Sequence, residues 1–254
     1  MELAEFSASY VSRYALAAVR VLAALGINPL FGSARVPLLG RVGIGLFVTL
    51  ALFPPTAPAG DPVAVTPLTI ASELLIGLLA GFAVALIFAA AQFAAALIGI
   101  SGGFLLGATL DPQQAQVGGN ALEQLFYTLA LLVFVQTNGH HLFLLGLHDL
   151  FAVLPVGQPL ALSPSGTEQL GLMGAALIAA GVKMAFPVLA ALLIADLGLA
   201  ILARVAPQLN LFVVGLPLKI LVALGALVVA LPVLLPWLSA LFRALPQTMR
   251  GVVG

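Results

Sequence analysis

The stretch LTIASELLIGLLAGFAVALIFAAAQFAAALI, from Leu68 to Ile98, carries a single charged residue, Glu73. A helix rises about 1.5 Å per residue, so this run is longer than a hydrocarbon core about 30 Å thick. Such a helix must tilt, break or project beyond a bilayer. Gly77 and Gly81 lie four apart on one face, a small-xxx-small pattern that admits a second helix at close range. The fold class follows: an all-α integral membrane protein.

The rest of the chain agrees. Of its 254 residues, 62% are hydrophobic and 7% are charged. An average soluble domain has about 25% charged residues. The mean hydropathy is +1.21. Water cannot solvate that much apolar surface, so the solvent must be lipid or other apolar protein. Nine Lys and Arg balance nine Asp and Glu, which argues against nucleic acid as a partner. The absence of cysteine removes disulfides, thiol catalysis and thiolate metal sites. The opening Met1-Glu-Leu-Ala-Glu5 is acidic and lacks the basic start of a cleaved signal. The first apolar segment is therefore expected to stay in the mature protein.

About six to seven apolar helical segments are expected, some broken or re-entrant. The first runs from Tyr10 to Leu30 and ends at Asn28-Pro29 and Gly32. The second runs from Val42 to Phe53 and stops at Pro54-Pro55. After the long run come Leu122 to Val135 and Leu142 to Leu154, joined at Thr137-Asn138-Gly139-His140. Each of these is short for a span, so a re-entrant hairpin is an option. Pro155 to Gly166 reads as a loop. The next helix runs from Leu170 to Leu202, and the last from Leu211 to Leu235, where Pro232 and Pro236 are expected to end it. No tandem repeat is visible, and residues 1–254 read as one membrane-embedded domain. Arg35, Arg41 and Arg204 assign their loops to the cytoplasm. A clean alternation fails through the short hairpin, which implies that some segments do not span.

Two kinds of candidate site stand out. Charges inside or near apolar runs mark polar pathways, subunit contacts or ion pairs: Arg20, Glu73, Lys183, Asp196 and Lys219. Arg13 and Arg20 share a helix face. Snorkelling near helix ends is the plain alternative. The second candidate is Gly99-Ile-Ser-Gly-Gly-Phe-Leu-Leu-Gly107, which leads through Asp111-Pro112 to Gly118-Gly119-Asn120. Each interior Gly disfavours a helix by about 1 kcal/mol relative to Ala. Ordinary loops are polar, whereas this one is apolar, as suits a compact segment packed in a pore. His140 and His141 are adjacent and point apart, which is poor chelation geometry. No nucleophile, phosphate-loop or zinc motif is present, so neither an enzyme nor a cofactor is expected. A secondary transporter for small solutes is the alternative. It would ordinarily show internal repeats with matched broken helices.

Several stretches resemble the FliR/SpaR/SctT family of flagellar and type III secretion export gates. Val19-Arg20, Pro29-Leu-Phe31, Val36-Pro37 and Arg41-Val42 fit its opening. Gln92-Phe93 and Asp111-Pro112 fit its middle. Leu132-Val133-Phe134 with Asn138-Gly139-His140-His141 is similar to the flagellar branch. The run from Ala203 through Arg204, Pro207 and Asn210 to Phe212, then Gly215-Leu-Pro-Leu-Lys219, is the most specific match. The resemblance implies a subunit of a helical export-gate assembly in the bacterial inner membrane at the flagellar basal body. FliP-like, FliQ-like and FlhB-like subunits would be its partners, and unfolded proteins would pass through. By the same resemblance, Gly102, Gly103, Phe104, Gly107 and Asp111 map onto the family's plug loop. The run beginning at Arg204 maps onto a partner-contact connector.

Overall fold

A computed structural model describes residues 2–32, 37–53, 63–104, 121–158, 164–208 and 210–253. Those residues form eight helices and no strand. They are α1 (Glu2–Ile27), α2 (Leu38–Leu52), α3 (Pro67–Gly102), α4 (Ala121–Gln136), α5 (Gly139–Val153), α6 (Pro164–Val205), α7 (Leu211–Arg243) and α8 (Leu245–Val253). Four are long and apolar enough to cross a membrane: Ser9–Ile27, Pro67–Gly102, Gly171–Val205 and Val213–Arg243. A fifth crossing results if α4 and α5, bent by 69° at their junction, make one broken span.

The packing is that of a membrane protein. Many of the fully buried positions are alanines, such as Ala17, Ala24, Ala91, Ala94 and Ala95. Large aliphatics point outward, among them Ile194, Leu197, Ile201, Val228 and Val229. In water this arrangement would be reversed. In lipid, small residues let helices approach and large ones face the hydrocarbon. The chain is thus an all-α integral membrane protein.

Helix boundaries follow backbone hydrogen bonding. At the start of α3, the Thr66 hydroxyl accepts from the Thr69 N–H at 3.2 Å. The Thr69 hydroxyl reaches back to the Thr66 N–H at 2.9 Å. This reciprocal cap satisfies two donors that would otherwise lack partners, and Pro67 sits where its missing N–H costs nothing. Between α4 and α5, Asn138 adopts φ 54°, a left-handed conformation that Asn tolerates better than most residues. A Cβ on Gly139 would lie 2.3 Å from the Phe134 ring, so only glycine fits there.

The last helix differs from the sequence reading. Pro232 and Pro236 do not end α7, which continues to Arg243. Each proline removes one N–H. A break among apolar groups would strand several more backbone polar groups, at several kcal/mol each. The Pro155 to Gly166 loop is also shorter than expected, because α6 starts at Pro164.

Contacts divide the chain into two compact units. The first comprises residues 1–86, 134–173 and 241–254, the second residues 87–133 and 174–240. In the first unit, α3 presses on α1 through Gly77 and Gly81. A Cβ on Gly77 would lie 2.2 Å from the Arg20 carbonyl, and one on Gly81 would lie 2.6 Å from that of Ala24. Leu16, Ala17 and Val156 form a core with Phe53, Val63 and Phe151 packed around it. Helix α8 docks Met249 into a notch at Gly146 on α5, and Arg250 pairs with Asp149. In the second unit, Phe88 of α3 packs on Tyr127 of α4 with ring centroids 5.6 Å apart. Gly181 of α6 faces the Ala90 carbonyl and the Phe93 ring of α3.

Gly77→Val will force α1 and α3 apart, because the obstacle is backbone. We expect loss of folded protein, read as aggregation on size-exclusion chromatography in mild detergent. Gly43→Ala, where a Cβ meets nothing within 4 Å, will leave the elution profile unchanged.

Candidate functional site

Arg20 comes from α1 and Glu73 from α3, and both side chains are 0% exposed. Arg20 Nε donates to Glu73 Oε2 at 2.6 Å. Arg20 Nη1 donates to the Leu150 and Leu154 carbonyls at 3.3 and 2.9 Å. Those oxygens close the C-terminus of α5, the negative end of its dipole, where a cation is favoured. The second Glu73 oxygen accepts from the Gly157 N–H at 2.8 Å. The guanidinium also lies 4.7 Å from the centre of the Phe151 ring, a cation–π distance. One residue before Glu73, Ser72 Oγ donates to the Gln158 carbonyl at 3.1 Å.

Local structure makes this cluster possible. Gly77 is one turn beyond Glu73, so the close approach of α1 and α3 occurs beside the ion pair. Gly157 has φ +88°, a left-handed turn open to glycine but strained for other residues, and this turn aims its N–H at Glu73. The Leu150, Leu154 and Gly157 backbone groups and the Phe151 ring were not legible as partners. Their one signal was the turn-forming run Pro155-Val-Gly-Gln-Pro159. The Asp149–Arg250 pair was likewise unforeseen.

In the second unit, Asp196 of α6 pairs with Lys219 of α7 at 2.7 Å. Their side chains are 46% and 25% exposed, so the pair is accessible to surroundings. The structure brings together Arg20 with Glu73 and Asp196 with Lys219. Lys183 and Arg204 are exposed on α6, and neither forms an ion pair among the described residues.

The glycine-rich segment begins as helix. Gly99 to Gly102 complete α3, where the sequence suggested irregular backbone. The helix ends at Gly103, with φ +80°. Phe104 N–H bonds to the Gly99 carbonyl at 3.0 Å, and Gly103 N–H to the Ile100 carbonyl at 3.4 Å. This is a Schellman termination, whose left-handed residue is usually glycine. A Cβ on Gly103 would lie 2.8 Å from Leu216, and one on Gly102 would lie 3.5 Å from Ala223. The turn is therefore seated on α7. Gly107 and Asp111 lie outside the described residues.

Removing one partner of a buried ion pair destabilises a protein by about 3–5 kcal/mol. Arg20→Leu and Glu73→Leu should each lower stability by about that much, measured by denaturant unfolding in detergent. The double variant should lose less than the sum of the singles, because the two residues share one network. Arg20→Lys should fail to restore wild-type stability, since an ammonium lacks the fork that reaches Glu73 and two carbonyls together.

Comparison with known proteins places these features in a family. The family model described as "Bacterial export proteins, family 1" matches residues 11–245. The chain is 33% identical to "Flagellar biosynthetic protein FliR" of Bacillus subtilis, over 94% of each chain. It is 30% identical to the Escherichia coli protein of that name, over 96% of this chain and 94% of that one. It is also 31% identical to "Yop proteins translocation protein T" of Yersinia pestis, over 85% of this chain and 84% of that protein. A match of this extent, on a chain of broken apolar helices, leaves one conclusion: this protein is a member of the bacterial export proteins, family 1.

Proposed function

We propose that this chain is a core subunit of the flagellar protein-export gate. As a family member it is a membrane component of a flagellar or type III export apparatus and not an enzyme. In the finer reading it sits in the bacterial inner membrane at the flagellar basal body. There it joins FliP-like and FliQ-like subunits to form a pore for unfolded proteins, wrapped by a FlhB-like subunit. Residues 1–254 act as one membrane-embedded domain within that assembly.

The observation that carries the flagellar reading is the match to flagellar proteins over 94% of each chain. The burial pattern supports an assembly. Only 17% of the most apolar window of α6 and 22% of that of α7 is buried by this chain, against 50% for α3. Two long helices thus offer most of their surface to lipid or companion subunits. The accessible Asp196–Lys219 pair, together with exposed Lys183 and Arg204, supplies polar points that fix register between subunits.

The plug is the segment that leaves α3 at Gly102 and Gly103 and runs through Phe104, Gly107 and Asp111. The Schellman turn supports this reading, because it stops a rigid helix and seats the exit on α7. In sequence, Gly103 and Gly107 flank Phe104-Leu-Leu106, and glycine accepts backbone conformations closed to other residues. The chain has no nucleotide-binding motif, so energy for export comes from another component.

Deletion of Gly102 to Gly107 tests the plug. In proteoliposomes holding the assembled complex, the deletion should raise ion leakage at least tenfold over wild type. A membrane as tight as wild type, with the complex intact, disproves the assignment. Co-expression tests the gate as a whole. The chain should co-elute with FliP-like and FliQ-like subunits as one monodisperse complex and should transport no solute by itself. A stable lone chain that transports a small solute would instead make it a transporter.

A further inference from the structure

A slot of about 230 Å³ opens between α1 and α2. Leu22, Leu25, Gly26, Phe31, Leu38 and Val42 are among its lining residues. Arg41, in the first turn of α2, stands at its edge, with Nη1 3.4 Å from the Gly32 carbonyl. Leu38 and Val42 are 72% and 38% exposed, so the slot is open from outside. A Cβ on Gly26 would meet nothing within 4 Å. The missing side chain at Gly26 is therefore part of the space.

The chemistry of the slot has two parts. Its walls are hydrocarbon, and its volume falls below the roughly 300–1,000 Å³ of pockets that enclose whole small molecules. It suits a length of alkyl chain. Its edge is a guanidinium, whose planar fork of N–H donors matches phosphate oxygens. Position joins the two parts. The candidate span of α1 ends at Ile27, so Leu22, Leu25 and Gly26 occupy its last turns. Arg41 follows directly after the connector to α2. The slot thus lies at one end of that candidate span, where its apolar walls and its arginine match an acyl chain and a headgroup. The connector is also one of the positive loops that the sequence assigns to the cytoplasmic side, where anionic lipids attract Arg.

We propose that this slot is a site for one anionic phospholipid, with an acyl chain against Leu22, Leu25 and Gly26 and the phosphate on Arg41. The site is independent of the plug and of the companion subunits. It anchors the α1–α2 hairpin at a fixed depth, so that the short, exposed α2 lies against lipid in a defined register.

The test uses native mass spectrometry of the full chain released from detergent, with phosphatidylglycerol and phosphatidylcholine added in turn. Wild type should retain one phosphatidylglycerol at a concentration at least tenfold below that needed for phosphatidylcholine. Gly26→Leu fills the slot from a position with open space and should lose that retention at unchanged melting temperature. Arg41→Gln should bind both lipids equally weakly, whereas Arg41→Lys should keep part of the preference. Equal retention by wild type and Gly26→Leu would overturn the proposal, as would an anionic preference that survives Arg41→Gln. Displacement of the lipid by inorganic phosphate would reduce the site to an ion site and also refute it. The chain contains no cysteine, so Leu38→Cys gives a clean cross-linking probe. Cross-linking of that cysteine to a companion chain in the assembled complex, with no lipid retained, would assign the slot to protein instead.

Discussion

A guanidinium buried among apolar side chains is costly unless its charge is met, and Arg20, of which Nη2 alone has no partner among the described residues, sets that condition for the first unit. Its carboxylate partner lies 53 residues away and its carbonyl partners 130 and 134 residues away. Meeting all of them requires α1, α3 and the end of α5 to converge at one point. Gly77 and Gly81 make the convergence possible by removing the Cβ atoms that would hold α3 off α1. Gly157 then turns its N–H onto the remaining carboxylate oxygen. A pair of this kind gives little net stability over an apolar replacement, but its disruption is severe. Its effect here is to tie α1, α3 and the end of α5 to one point.

The same reasoning governs the backbone. Apolar surroundings offer no water for an unpaired N–H or carbonyl. The helices accordingly run through Pro187, Pro217, Pro232 and Pro236 without ending, and their termini are closed by specific devices. Thr66 and Thr69 cap the start of α3, and the turn at Gly103 closes its end. The turn at Gly103 is seated against Leu216 of α7.

The surface is the counterpart of this interior. Exposed Ile194, Leu197 and Ile201 on α6, with Val228 and Val229 on α7, need an apolar environment. Lipid or companion protein meets that need, in keeping with membership of an export apparatus. Charge is sparse on these faces, so each ionic group carries more positional information than it would in water. Asp196 and Lys219 neutralise one another within the chain. Lys183 and Arg204 remain exposed, as befits groups read as contacts between subunits.

Composition and period alone determined the class. An excess of Leu, Val, Ala and Phe with few charges can be solvated only by lipid or protein, and helices satisfy their own backbone locally. The Gly77/Gly81 spacing marked a close helix approach for the same local reason, since residues four apart share a face. The family motifs around Arg204 to Lys219 were legible as an ordered string. Partner choice was not. That Arg20 meets Glu73 and not another carboxylate, that Gly157 completes the site, and that Gly103 rests against Leu216 were decided by the tertiary path. The physical reason is range: helix propensity acts over about four residues, whereas these contacts join positions 53 to 134 apart in the first unit. Only the folded chain brings such groups within reach of one another.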